Sequence, residues 1–296
     1  MAPSLIPHVS QAQLLTHLRR LEGERHPFES PARLRAAQDY IQAHWRALGY
    51  AVSLDAFSYL GHDAVNLIAR PQEPPQGPRL LIGAHVDTVP GTPGADDNAS
   101  GLAVLLEASR LLAAAPPRAL PVEFVAFTHE ELGMIGSHRY AAALQKAKTP
   151  LLGMLSLEMV GFTESEGLQH YPWFLKGRYP SLGNYLGLAA NRHSHHLLQD
   201  IANAMRTVPD LPVETMILPG NGWVFPESRL SDHAPFWDRG YPALLVTDTA
   251  FFRNPHYHQP TDTVETLDLA FLTKVTQGIV AVIERFTRSA GAPAAC

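Results

Sequence analysis

Three apolar stretches of this chain each run directly into acids or an imidazole. Leu80–Ile82 leads to His85 and Asp87, Val122–Phe127 to His129, Glu130 and Glu131, and Leu151–Leu157 to Glu158. Between the first two lie Asp96, Asp97 and Asn98, after a Gly/Pro-rich loop, and far downstream comes His256–Tyr257–His258. Imidazole nitrogen and carboxylate oxygen are the donors that a divalent ion of the zinc type takes. Several carboxylates gathered in one place repel strongly unless cations neutralise them. The pattern therefore indicates a metal site, with acids that merely face solvent or cap helices as the plainer reading. Asp96 and Asn98 suit caps.

Adjacent glutamates can divide labour. One of Glu130 and Glu131 can bind the ion while the other takes a proton from the attacking water. Asp87, beside His85, suits a residue that orients the imidazole. Nucleophilic catalysis has little support: there is no G-x-S-x-G elbow, and the one cysteine is Cys296, the last residue. Neither G-x-G-x-x-G nor a P-loop is present, so nucleotide binding is unsupported.

These side chains need a scaffold that brings strand ends together. Val122–Phe127 and Leu151–Leu157 read as buried strands, as does Leu80–Ala84. The stretches 99–115 and 133–147 between them are helical in spacing. Three strands separated by two helices predict a parallel, doubly wound sheet, whose ligand crevice lies at the carboxyl ends of its strands. Upstream, Ser10 with Gln13 resembles a capping box before the stripe Leu14, Leu15, Leu18 and Leu21. Ser30–Pro31 starts a second helix with Leu34, Ile41, Trp45 and Leu48 buried. Tyr50–Phe57 and Ala64–Ala69 read as strands.

From Phe162 to Leu188 the pattern is weak, and 191–206 reads as a helix carrying His193, His195 and His196, a solvated face. Val213–Leu218 and Pro242–Val246 are further strands, Ser231–Asp232–His233 a loop near the site that helps bind substrate, and 267–287 the last helix. Trp173, Phe174, Tyr179, Trp223 and Phe225 are candidate walls of a specificity pocket. With no Ser/Gly-rich linker or repeat, residues 1–296 read as one domain, a helical part over 1–49 and a catalytic core over 50–290.

Composition narrows the function classes. Hydrophobic residues make up 46% of the 296 and charged residues 17%, enough apolar matter for a substantial core. A net charge of −5 argues against nucleic acid or an acidic membrane surface as partner. A single cysteine permits no internal disulfide and fits a reducing compartment. Arg19–Arg20 and polar breaks stand where a signal peptide would have its apolar core, and no run is long enough to span a bilayer. The expectation is a cytoplasmic protein, with a monomer as the default and the oligomeric state left open.

The segments HVD, GADDNASG, HEELGMIGS, SLEMVG, SDHAPF and NPHYHQPTDT, in this order, resemble the co-catalytic zinc aminopeptidases of metallopeptidase family twenty-eight, over residues 60 to 285. Each is modest alone; six in order are specific. The resemblance implies a three-layer α/β/α sandwich with a mixed, mostly parallel central sheet, and two zinc ions, with cobalt or manganese as substitutes. It implies His85, Asp97, Glu131, Glu158 and His258 as ligands, Asp97 bridging, and a cis bond from Asp97 to Asn98. It selects Asp97 over Asp96 and His258 over His256, which spacing does not. Glu130 becomes the general base and acid, and Asp87 the partner of His85. Glu158 departs from the pattern, since many relatives carry aspartate there. The implied activity is removal of an N-terminal residue from peptides. Alternatives on the same fold are a carboxypeptidase or an acyl-amino-acid hydrolase, a glutaminyl cyclase, which keeps fewer zinc ligands, and a binding domain with a dead site.

Overall fold

A computed structural model describes residues 4–116, 118–164, 167 and 169–287; Cys296 lies outside them. Among these residues the chain forms one eight-stranded sheet in the order β1-β2-β4-β3-β5-β8-β6-β7. The strands are β1 (Ala51–Tyr59), β2 (His62–Arg70), β3 (Arg79–His85), β4 (Val122–Phe127), β5 (Leu151–Glu158), β6 (Leu186–Asn191), β7 (Val213–Leu218) and β8 (Ala243–Thr247). The central four, β4, β3, β5 and β8, are parallel. β1 and β2 add antiparallel on one side, and β6 runs antiparallel to β8 before pairing parallel with β7. The sheet is mixed and mostly parallel at its centre, as expected.

Parallel strands between helical layers are buried on both faces, so they read as unbroken apolar runs. In β4, Val122, Phe124 and Ala126 enter one core, and Val125 and Phe127 the other. The larger core lies under α1 (Gln11–Leu21), α2 (Pro31–Ala47), α3 (Gly101–Ala113), α5 (His195–Met205) and α7 (Leu269–Thr287). The smaller lies under α4 (Ile135–Lys146) and α6 (Ala234–Asp238). This is the α/β/α sandwich.

The N-terminal helices are part of that layer. Ser10 Oγ accepts the Gln13 N–H at 3.3 Å, and Leu14, Leu18 and Leu21 are buried in the larger core. Burying each such leucine stabilises the fold by roughly 1.5–3 kcal/mol. Ser30 starts α2 without capping it, because its hydroxyl donates instead to Glu24 at 2.7 Å.

Two elements depart from the sequence reading. The helix expected from residue 99 begins at Gly101. Residues 95–100 form a wide turn in which Asp97 (φ −103°, ψ 87°) and Asn98 (φ −133°, ψ 41°) are not helical. β6 falls in stretches read as weak and as helical. Its sequence LGLAAN is small, apolar and without alternation, and Asn191 closes it by accepting the Ser194 N–H at 3.0 Å. No helix of the described residues is long and apolar enough to cross a membrane.

Candidate metal centre

His85 ends β3 and Glu158 ends β5, while Glu130 and Glu131 follow β4 by three and four residues. The parallel register of these strands brings all four to one edge. Asp97 enters from the turn before α3 and His258 from the loop after β8.

The carboxylate of Asp97 lies between two imidazoles. Its Oδ1 is 3.1 Å from His85 Nε2, and its Oδ2 is 3.2 Å from His258 Nε2. Each imidazole faces one further acid: His85 Nε2 is 3.4 Å from Glu158 Oε1, and His258 Nε2 is 3.3 Å from Glu131 Oε2. The five side chains thus form two half-sites that share Asp97. Donor atoms of His85, Asp97 and Glu131 lie within 4.8 Å of one another. The peptide bond between Asp97 and Asn98 is cis, as the resemblance implies.

The neighbours of Asp97 bolt it in place and point elsewhere. Asp96 accepts the Gly161 N–H at 2.9 Å and the Asn254 amide at 2.7 Å. Asn98 accepts the Gly101 and Met159 N–H groups at 3.1 and 3.3 Å and donates to the Leu157 carbonyl at 2.8 Å. The Asn98–Gly101 bond is cap-like, but both residues chiefly tie the turn to the end of β5.

Asp87 meets the His85 ring mainly through its main chain. His85 Nδ1 lies 3.1 Å from the Asp87 main-chain carbonyl and 3.8 Å from its carboxylate. The carbonyl sets Nδ1 as the donor and leaves Nε2 to face the acids. The Asp87 carboxylate accepts the N–H groups of Glu130 and Glu131 at 3.1 and 3.2 Å. Its carboxylate thus faces both the His85 ring and the backbone of the glutamate pair.

Electrostatics express the crowding. Burial raises Glu130 well above the usual carboxylate range, and the charges of Glu158, Glu131 and Asp232 add to it against the pull of His85. Burial and the Asp97 charge lift Glu131 to about 7. Burial also raises Glu158, against the pull of His85. Burial opposes charge on His258, yet Asp97 and Glu131 carry it up to about 10. His85 likewise rises, since Glu158 and Asp97 outweigh its burial. Burial works against the Asp97 charge, but the two imidazoles hold that carboxyl below its usual range.

The residues match the model of peptidase family M28 over positions 66–283. The chain belongs to that family. As an M28 peptidase it is a peptide hydrolase. It is 32% identical over 295 residues to the uncharacterised protein YfbL of Escherichia coli, covering 95% of this chain and 90% of that one. It is 27% identical over 219 residues to aminopeptidase YwaD of Bacillus subtilis, covering 72% of this chain but 42% of that one. Among solved structures, the LapA aminopeptidase of Legionella pneumophila superposes with a TM-score of 0.77 at 19% identity, over 96% of this chain and 74% of that one. A glutaminyl cyclase of Porphyromonas gingivalis does so with 0.71 at 20% identity, over 94% and 99%. At those identities the likeness shows the fold alone.

The donor set of the M28 chain fits the zinc that the family implies. Among the described residues Asp97 Oδ1, Glu131 Oε1 and His258 Nε2 are buried without a hydrogen-bond partner, and all three are atoms a cation would take up. The structure gives specific places to residues around them. Ser231 donates to Glu158 Oε2 at 2.8 Å and lies 2.9 Å from the Ser156 hydroxyl, so it holds a site acid. His233 in the same motif turns away, to the Ser228 carbonyl at 2.8 Å. Tyr257 stacks on His258 with ring centroids 3.7 Å apart. Arg25, outside the matched span and fully buried, gathers the main-chain carbonyls of Leu21, Val86, Pro93 and Gly94. Distance in sequence hid it.

Of the candidate pocket aromatics, Tyr179 and Phe225 line a cavity beside Glu158, while Trp173 and Trp223 are exposed. His193 and His196 are exposed and His195 partly so, in keeping with a solvated face.

Proposed function

We propose that this M28 peptidase is a zinc aminopeptidase that releases the N-terminal residue of peptides, with two ions held by His85, Asp97 and Glu158 on one side and Asp97, Glu131 and His258 on the other. One observation carries the reading: each oxygen of Asp97 faces its own imidazole and glutamate. Zinc, when bound, supplies a Lewis acid that acidifies water and polarises a carbonyl. Glu130 lies outside the two half-sites, next to Glu131 and with its charge interacting with those of Glu158 and His85. Its carboxylate takes a proton from the attacking water as the carbon–oxygen bond forms, then returns it to the amine nitrogen as the carbon–nitrogen bond breaks. A carboxyl held above its ordinary range suits a group that both accepts and returns a proton. Asp87 fixes the backbone of Glu130 and Glu131, so base and ligand move together. The full set of five candidate ligands favours hydrolysis over cyclase chemistry, which the resemblance links to fewer zinc ligands.

The test is hydrolysis of short peptides by zinc-loaded protein, each with a free N-terminus, an acetylated N-terminus or an amidated C-terminus. Activity lost on acetylation and kept on amidation supports the aminopeptidase. Loss on amidation, or cleavage of acetylated peptides alone, would move the assignment to a carboxypeptidase or acylase, and no hydrolysis with no bound metal would revive the binding domain. Cyclisation of an N-terminal glutamine without hydrolysis would indicate the cyclase.

A further inference from the structure

Glu158 and Glu214 stand at the two ends of one rung of the sheet. Glu158 pairs with Thr247 across β5 and β8, Thr247 with Gly187 across β8 and β6, and Gly187 with Glu214 across β6 and β7. Residues paired directly across strands share a face, and all four of these line one cavity of about 130 Å³. Three strand spacings place Glu214 about 14 Å from Glu158 along this floor. At the middle of this rung Gly187 adds no side chain of its own, and the position of its missing Cβ lies in ordinary contact with Thr247 and Thr249, 3.4–3.9 Å away.

The walls of this cavity are apolar and aromatic, with Tyr179, Phe225 and Phe252 among them. Its charges are of one sign: Glu158, Glu214 and Glu227 line it, and no lysine or arginine does. Among the described residues, the Glu214 side chain has no ion pair or hydrogen bond. Arg253 is not among the lining residues. Its guanidinium lies 4.5 Å from the Tyr185 ring centroid, and its Nε donates to Gln169 at 2.8 Å. Apolar walls weaken the screening of the Glu214 charge. An apolar side chain filling the cavity would strip water from that carboxylate and offer nothing back. A side chain with an apolar stem and a cationic tip satisfies both the walls and the far end.

We propose that this cavity receives the side chain of the substrate's N-terminal residue and that Glu214 selects lysine or arginine there. The inference rests on the aminopeptidase reading above.

The test compares kcat/KM for arginine, lysine, citrulline and leucine p-nitroanilides, wild type against Glu214→Gln and Glu214→Asp. Citrulline keeps the shape of arginine without its charge. Wild type should prefer arginine over citrulline by about tenfold or more, Glu214→Gln should bring that ratio close to one, and Glu214→Asp should restore part of it. Binding of arginine amide and citrulline amide, measured by calorimetry, reports the same ratio without turnover. Leucine hydrolysis with no preference for arginine, or a preference untouched in Glu214→Gln, would overturn the role of Glu214 and leave the aminopeptidase standing. No hydrolysis of any anilide, with amide binding still dependent on Glu214, would overturn the aminopeptidase and keep the charge selection.

Discussion

The carboxylate of Asp262 accepts the main-chain N–H of Asp97 at 3.1 Å across 165 residues of sequence. Its other oxygen accepts the N–H of Asp96 at 2.8 Å. Asp97 is thus held by its backbone alone, and both its side-chain oxygens stay available to the two imidazoles. The loop that carries His258 also carries this clamp, so one segment sets the bridging acid and a histidine together.

Asp262→Asn should therefore weaken zinc binding without removing a ligand. Loss of a residue that orients a ligand costs about 10- to 100-fold in affinity. Competition with a fluorescent chelator measures it, and an unchanged zinc affinity would refute the clamp.

Glu130→Gln keeps the side-chain shape and removes the proton acceptor. Zinc content by elemental analysis should match wild type, and kcat should fall by about 10²- to 10⁴-fold. Near-normal kcat with full metal would assign the base elsewhere.

Zinc binding should release protons, and more tightly bound zinc should follow from higher pH. At pH 7 the metal-free site holds a proton on His258, whose acidity lies at about 10, and one on His85, which is also raised; Glu131, at about 7, is half protonated. These protons must leave before the donors can ligate, giving about two or more released at pH 7. The sign is fixed by the direction of the shifts: raised groups hold protons that oppose the metal until pH climbs past them. Zinc calorimetry in buffers of different ionisation enthalpy counts them, and zero release would show that the donors are already deprotonated.

Arg25→Ala should destabilise the fold and the metal centre together. It leaves buried carbonyls of Val86 and Gly94 without their donor, at a cost of about 1–3 kcal/mol each. Urea unfolding should show a lower midpoint and zinc affinity should fall. A stability loss with zinc affinity intact would show that the clamp does not reach the site.

Much of the centre was legible because its chemistry sits where strands end. His85, Glu130, Glu131 and Glu158 follow apolar runs, and a parallel sheet brings such ends together whatever the loops do. Asp97 over Asp96 and His258 over His256 were legible only by motif order. The structure shows the difference as one of direction: Asp96 bonds Gly161 and Asn254, and His256 Nδ1 bonds Thr261 at 2.8 Å, so each turns from the cluster.

By itself, then, the sequence determined a doubly wound parallel sheet, its central strands and the acids and imidazoles at their ends, because hydrophobic patterning is a property of neighbouring residues; the mixed sandwich was legible only through the order of the family motifs. The tertiary structure alone decided what depends on pairing over long separations. β6, small and without alternation, is a strand because β8 and β7 flank it. Asp87 serves the two glutamates because β3 lies beside β4. Arg25 reaches the metal loop because α1 packs against α3 and the turn before it. Glu214 faces the same cavity as Glu158 because three strand pairings place them on one rung, a register that no local pattern encodes.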